Sequence, residues 1–234
     1  IKSEFRSMLR VSENGIGKFI KDKGLEYWHD FQHGMALLTQ AAIIGYKFRL
    51  EKIYIASSFC EKLKGKYLCA SDPTIDNYVR LSLTKVVHDS YDMDRLSKVG
   101  FLVNKCREGL SYPQIHVCWV TKGGSNCGRC EKCCRTIMEI VASNGDPEKF
   151  GFKWQDKDKK EVKWLILHDF IFTESRIETA YEPIARLMQS ESFDKKQEYQ
   201  WFINIDWEKV NDDFLKKSKT SFRKIKKSIK KVIR

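Results

Sequence analysis

Five cysteines crowd into residues 118–134: Cys118, Cys127, Cys130, Cys133 and Cys134. They lie too close together for several separate disulfides, whereas thiolates at this spacing converge on one metal ion. Cys127, Cys130 and Cys133 form two overlapping CxxC steps, and Cys118 adds a fourth sulfur with eight residues between it and Cys127. Four such thiolates suit tetrahedral zinc. Cys134 is an alternative to Cys133, but the CxxCxxC step favours Cys133 and leaves Cys134 to pack on the following helix. A closed four-thiolate site leaves no position for a reactive water, so the zinc is expected to be structural and any catalysis to lie elsewhere. Buried or redox-active thiols are the competing reading, which a single CxxC would leave stronger. Cys60, Cys69 and Cys106 read as ordinary buried or half-exposed thiols.

The elements that must position these residues follow from periodicity. Cys118 falls on QIHVCWV (114–120), read as a strand, and CRTIMEIVASNG (134–145) reads as a helix closed at Asn144-Gly145. Gly128 suits the tight turn between thiols, and placing the last thiols at a helix start favours their deprotonated form. Upstream, residues 30–48 predict one buried helix and IYIASSF (53–59) a strand entering a loop. KVVHDS (85–90) predicts a second strand, and MDRLSKVGFLVNKC (93–106) a helix. Strands alternating with helices imply a largely parallel sheet, whose ligands bind where polar loops leave the carboxyl ends of strands. Ser57, Ser58, His88 and Asp89 fall at such ends. From about residue 151 the composition shifts, and a helical stretch near residues 175–189 predicts a helical appendage.

With 234 residues, 42% of them hydrophobic, the chain can bury a sizeable core and is not of a disordered composition. It holds no run of about 18 apolar residues and no signal-peptide pattern, so a cytoplasmic location is the default expectation. The formal charge is +12, but ten Lys or Arg and no acid lie between Phe214 and Arg234, leaving 33 basic against 31 acidic residues before them. In that tail Phe222, Ile225, Ile229 and Val232 recur at helical spacing among lysines, the pattern of a basic amphipathic helix. It suits an anionic membrane surface, RNA or another polyanion, and a solvated terminal helix is the plainer reading.

The segments HVCW and NCGRCEKCCRT resemble the zinc region of the PP-loop ATP pyrophosphatases related to 7-cyano-7-deazaguanine synthase of queuosine biosynthesis. SDP (71–73) and VVHDSYDMDRLSK (86–98) are similar to motifs of a branch associated with surface-polysaccharide genes. The resemblance covers roughly residues 7–150. It implies a partial Rossmann-like parallel sheet over residues 1–150 bearing the four-cysteine zinc element, then a helical appendage (151–213) and the basic tail (214–234). It also implies ATP and Mg2+ as cofactors, adenylation of a small-molecule substrate with release of pyrophosphate, and a glycan-precursor or queuosine-like acceptor. Carried over by motif, His33, Asp72, His88, Asp89, Arg95 and Lys98 would surround the nucleotide or substrate. Arg135, just after the thiols, and the Arg95–Lys98 pair on one helix face suit phosphate, or a solvated basic face. Ser90 and Cys134 stand where the family pattern has glycine and leucine. The 234 residues contain no SGGxDS phosphate loop, so the resemblance places that loop upstream of Ile1. The alternative is a non-enzymatic, zinc-stabilised module that binds RNA or another polyanion through its tail. Association with further copies of the chain is left open.

Overall fold

Residues 33–89 carry first a helical and then an alternating apolar pattern, and both periods are realised. The computed structural model describes residues 33–67, 69–121, 124–212 and 216. The protein is mixed α/β, and its described residues fall into two compact units divided between Arg95 and Leu96. In the first unit, helix α1 (His33–Phe48) precedes strand β1 (Lys52–Ala56), a 3-10 turn (Glu61–Leu63), the one-turn helix α2 (Pro73–Asp76), β2 (Arg80–Leu81) and β3 (Thr84–Asp89). The sheet order is β1-β3-β2. β1 and β3 run parallel, with Tyr54 opposite Val87 and Ile55 opposite His88, while β2 pairs antiparallel to β3.

Burial alternates along β3, with Thr84, Val86 and His88 inward and Lys85 and Asp89 outward, as the two-residue period requires. Helix α1 packs on β1 and β3. Leu38, Ile55 and Val86 form the buried centre of this layer, supported by Ile53, Val79 and Leu81. Gly34 is required there, because a Cβ on it would sit 2.8 Å from both Ala70 O and Asp76 Oδ1. The expectation that this helix is buried needs correction. Met35, Leu37, Ile43, Ile44, Tyr46 and Phe48 are exposed, because α1 is apolar on more sides than one small sheet face covers. The opposite face of the sheet exposes Lys52, Tyr54, Ala56, Lys85 and Asp89.

The second unit is helical. It contains α3 (Arg95–Arg107, from Leu96 onward), α4 (Glu131–Ala142), a 3-10 turn (Pro147–Phe150) and α5 (Asp156–Trp164), which runs into a π-helical turn (Leu165–Asp169). A second helical run joins α6 (Glu174–Arg176), a π turn (Ile177–Tyr181) and α7 (Glu182–Gln189), and α8 (Gln200–Ile203) follows. α4 is the central element, buried at every position from Cys133 to Ala142 except Arg135. It stops where Asn144 turns left-handed (φ 56°), which lets Asn144 N and Gly145 N close on Val141 O and Ile140 O at 2.8 Å each. α7 packs against both α4 and α8. Between these helices Tyr181 lies 4.6 Å from Phe172 and 5.3 Å from Trp207, ring centre to ring centre, and Phe202 lies 5.4 Å from Trp207.

Lys216 is buried here despite its charge. Its ammonium donates to Ile166 O at 2.9 Å and Val210 O at 2.8 Å, and stands 4.8 Å from the centre of the Phe172 ring. The rest of the predicted basic amphipathic tail lies outside the described residues. No helix among the described residues is long and apolar enough to cross a membrane.

Candidate metal centre

Residues 114–120, read above as a strand, form none: 114–118 are irregular, 119–120 bend, and the segment joins no sheet. Their hydrogen bonds go elsewhere. Ile115 N donates to Phe150 O at 3.0 Å, and the Asn126 side chain accepts from Val117 N at 3.1 Å and donates to Ile115 O at 2.6 Å. One amide side chain thus performs the pairing of a strand and brings Cys118 alongside the loop that carries the other thiols. Gly128 follows Cys127 with φ 71°, the left-handed turn that glycine adopts without a Cβ penalty. The turn aims Arg129 N and Cys130 N at Cys127 Sγ, at 3.4 and 3.3 Å. Cys130 is the N-cap of α4, which places Cys133 in its first turn.

The sulfurs of Cys118, Cys127, Cys130 and Cys133 all lie within 4.8 Å of one another, and Cys127 and Cys133 are 3.9 Å apart. Zn–S bonds of about 2.3 Å at tetrahedral angles demand sulfurs about 3.8 Å apart. The donor set therefore fits a metal ion such as zinc. Cys134 is fully buried and points away, its thiol donating to Gly128 O at 3.5 Å.

The electrostatics are those of crowded thiols. Burial pushes the Cys133 thiol well up, and proximity to Cys130 and Cys127 adds to it. Burial likewise raises Cys130 and Cys134. At Cys118 burial acts upward too, but hydrogen bonds from the Thr121 side chain and from the backbone of Thr121, Cys127 and Val120 prevail and bring it down to about 5. A dication held by the four thiolates would offset their mutual repulsion, and the centre would then carry a net charge of −2. Cations stand near it in sequence and space. Arg129 pairs with Glu161 at 3.0 Å, and Lys132 lies 5.9 Å from the ring of the exposed Trp119. Arg135, a predicted phosphate contact, has its Nε 3.4 Å from Glu131 Oε1, an ion pair without hydrogen-bond alignment. Glu131 also accepts from Tyr181 OH at 3.3 Å.

The other predicted site residues are distributed between the two units. His33, Asp72, His88, Asp89 and Arg95 belong to the first, and Lys98 and Arg135 to the second with the thiols. His33 Nδ1 lies 3.7 Å from Cys69 Sγ. Asp72 caps α2, accepting from Thr74 N at 2.9 Å. His88 is buried at the end of β3, its Nδ1 2.9 Å from Asp76 Oδ2, which also accepts from Ser71 at 2.7 Å. Asp89 is exposed and accepts from Ser90 Oγ at 2.9 Å. Arg95 and Lys98 both lie on α3.

Sequence reasoning missed Asp76, the fully buried acid that binds His88, and chose Asp72 from the same SDPTIDN stretch. The available signal was helical spacing. Pro73 starts a turn with Asp72 as its cap, which leaves Asp76 inside it facing the sheet. Asn77 Oδ1, accepting from His88 N at 2.7 Å, was missed as well. No protein-family model, curated protein or solved structure matches the chain.

Proposed function

We propose that this chain is the zinc-bearing part of a PP-loop ATP pyrophosphatase, in which a substrate oxygen attacks the α-phosphate of ATP to give an adenylate and pyrophosphate. The observation that carries the reading is the convergence of the four thiols of HVCW and NCGRCEKC, the segments on which the resemblance rests. The zinc would be structural, held by Cys118, Cys127, Cys130 and Cys133. A further support is the parallel β1–β3 pair. Parallel strands ordinarily have both faces covered, and a Rossmann-like sheet would cover the face on which Tyr54 is exposed. Asp72, His88 and Asp89 lie at the end of β3 or in the loop that follows β1, where open α/β sheets hold ligands, and His33 at the start of α1 meets that loop at Cys69. In this reading they serve ATP, Mg2+ or the acceptor, and Arg95, Lys98 and Arg135 serve phosphate. The acceptor is a small molecule of the glycan-precursor or queuosine-like kind.

The test begins with the gene. Coding sequence upstream of Ile1 is read for an in-frame SGGxDS, and the protein including it is assayed for pyrophosphate release from ATP. Release that disappears when the loop's aspartate is replaced by alanine supports the reading. A gene without the loop, or a protein with it that releases no pyrophosphate across a panel of acceptor candidates, overturns it. In that event the ten basic residues of 214–234 favour the second reading, a zinc-stabilised module holding RNA or an anionic surface. Its mark is ATP-independent binding of polyuridylate that weakens steeply with salt and is lost on deleting 217–234.

A further inference from the structure

Three glutamates recur every four residues where α6 passes through the π turn into α7: Glu174, Glu178 and Glu182. Like charges at this spacing share a helix side and repel one another. Glu208 adds a fourth carboxylate from the segment after α8, and the four border an open cleft of about 550 Å3 within the second unit. No Lys, Arg or His stands among the described residues that line it. Phe172 and Trp207 give the cleft aromatic surface. Asn211 ties its walls together, its Oδ1 accepting from Phe172 N at 2.9 Å and its Nδ2 donating to Phe172 O at 2.8 Å. Trp207 is only 8% exposed, and its indole N–H meets no acceptor among the described residues, although a buried indole ordinarily has one.

Pockets that take ligands measure about 300–1,000 Å3, so the cleft has room for several side chains of a bound segment. Carboxylates and aromatic faces both attract ammonium and guanidinium groups, and the indole N–H requires an oxygen acceptor. A Lys-rich peptide brings the cations together with main-chain carbonyls, whereas a metal ion or a free polyamine brings the cations alone. Such a peptide begins beside the cleft. The Lys216 ammonium is held by Val210 O at 2.8 Å and stands 4.8 Å from the centre of the Phe172 ring, part of the cleft wall. Residues 217–234, which lie outside the described residues, carry nine Lys or Arg and no acid. A residue spans at most about 3.6 Å, so the backbone of Lys217 and Lys219 is tethered within about 11 Å of that of Lys216. A tether this short keeps the first lysines of the tail at high local concentration.

We infer that the acidic cleft is the docking site of this chain's own basic tail. Lysines from the beginning of 217–234 pair with Glu174, Glu178, Glu182 and Glu208, and a tail carbonyl accepts from the Trp207 indole. The cleft and any outside polyanion then compete for the same lysines. The inference rests on neither reading of function.

The experiment is zero-length cross-linking of the full chain with a carbodiimide, which joins an amine to a carboxylate it touches, with peptide mass spectrometry of the monomeric fraction. Lys217, Lys219 and Lys224 are expected to join the four cleft glutamates with about tenfold higher yield than they join Glu148 and Glu191, exposed acids of the same unit outside the cleft. About 1 M NaCl, where the screening length falls to about 3 Å, should abolish that preference. The combined Glu174→Gln, Glu178→Gln, Glu182→Gln and Glu208→Gln variant should be nicked by trypsin after Lys217 and Lys219 about tenfold faster than the wild type, with the α4 amides still protected from exchange. Tail lysines that join Glu148 and Glu191 as often as the cleft acids, or that join no acid, overturn the inference. So does a variant with protected α4 amides whose tail is nicked at the wild-type rate. Cross-links confined to the dimeric fraction assign the cleft to the tail of a second copy and overturn docking within one chain. If the variant loses α4 protection it has unfolded, and the salt series on the wild type decides. Neither readout uses ATP or RNA, so a protein that forms no pyrophosphate overturns the adenylation reading and leaves this one standing.

Discussion

Replacing Cys133 and Cys134 one at a time by serine separates a metal ligand from its immediate neighbour. The two thiols are adjacent, fully buried and on the same helix, yet only Cys133 belongs to the converging set. Structural zinc in small domains contributes on the order of 10–16 kcal/mol, so one of four comparable thiolates accounts for about 2.5–4 kcal/mol. At about 1.4 kcal/mol per power of ten, Cys133→Ser should weaken zinc binding by about two to three powers of ten. Cys134→Ser removes no ligand. Its hydroxyl can still donate to Gly128 O, and the burial of a more polar group should cost about 1–2 kcal/mol of stability while leaving the metal in place. Zinc content by elemental analysis and affinity by competition with a chromogenic chelator at fixed pH read the two effects apart. Equal zinc loss in both variants would refute the ligand assignment, and wild-type affinity in Cys133→Ser would refute the argument that four thiols hold the ion.

Gly34→Ala drives a methyl into Ala70 O and Asp76 Oδ1, and overpacking of this kind costs about 1–3 kcal/mol. Hydrogen-exchange protection of the β1 and β3 amides should fall about 5- to 150-fold, with the α4 amides unchanged. Lys216→Met keeps the apolar stem but leaves Ile166 O and Val210 O without their charged donor, a loss of about 2–4 kcal/mol read as a lower urea midpoint. Burial raises Tyr181 well above the usual tyrosine value and raises Tyr199 too, so the folded chain keeps protons that the unfolded chain releases near pH 10. Stability should therefore be full below about pH 10 and fall as pH rises beyond it. Tyr181→Phe should flatten that fall in pH-dependent urea unfolding while lowering stability at neutral pH through loss of the bond to Glu131.

Where a segment's apolar period matched its burial, the sequence was readable. β1, β3, α3 and α4 each appear within a few residues of their predicted places, and the left-handed close of α4 at Asn144 follows from the Asn-Gly pair. The four thiols were readable because a metal site of this type needs a fixed spacing that few other demands impose. Residues 114–120 misled because alternation reports a two-residue period and says nothing of what satisfies the backbone. Here Asn126, nine residues beyond Val117, supplies the partner. The bond from Asp76 to His88 was hidden for a related reason, since it joins α2 to β3 across a strand and depends on which acid of SDPTIDN faces inward. The outward apolar residues of α1 show the limit of composition, which records how much surface is apolar and not how much a partner layer covers.

The π turn at Ile177–Tyr181 bears on how this chain can change length in evolution. A π turn holds one residue more than an α turn, and here that residue helps seat Tyr181 among Phe172, Phe202 and Trp207 while α7 continues beyond it. Because the π turn absorbs its extra residue locally, deleting one residue of the turn would restore regular α geometry while α7 keeps its phase relative to α6. Ile184, Ala185 and Met188 would then stay on the buried face, and the change would fall on the seat of Tyr181. Within the stretch from Glu174 to Gln189 the π turn is therefore the place where the chain can lose one residue without rephasing α7.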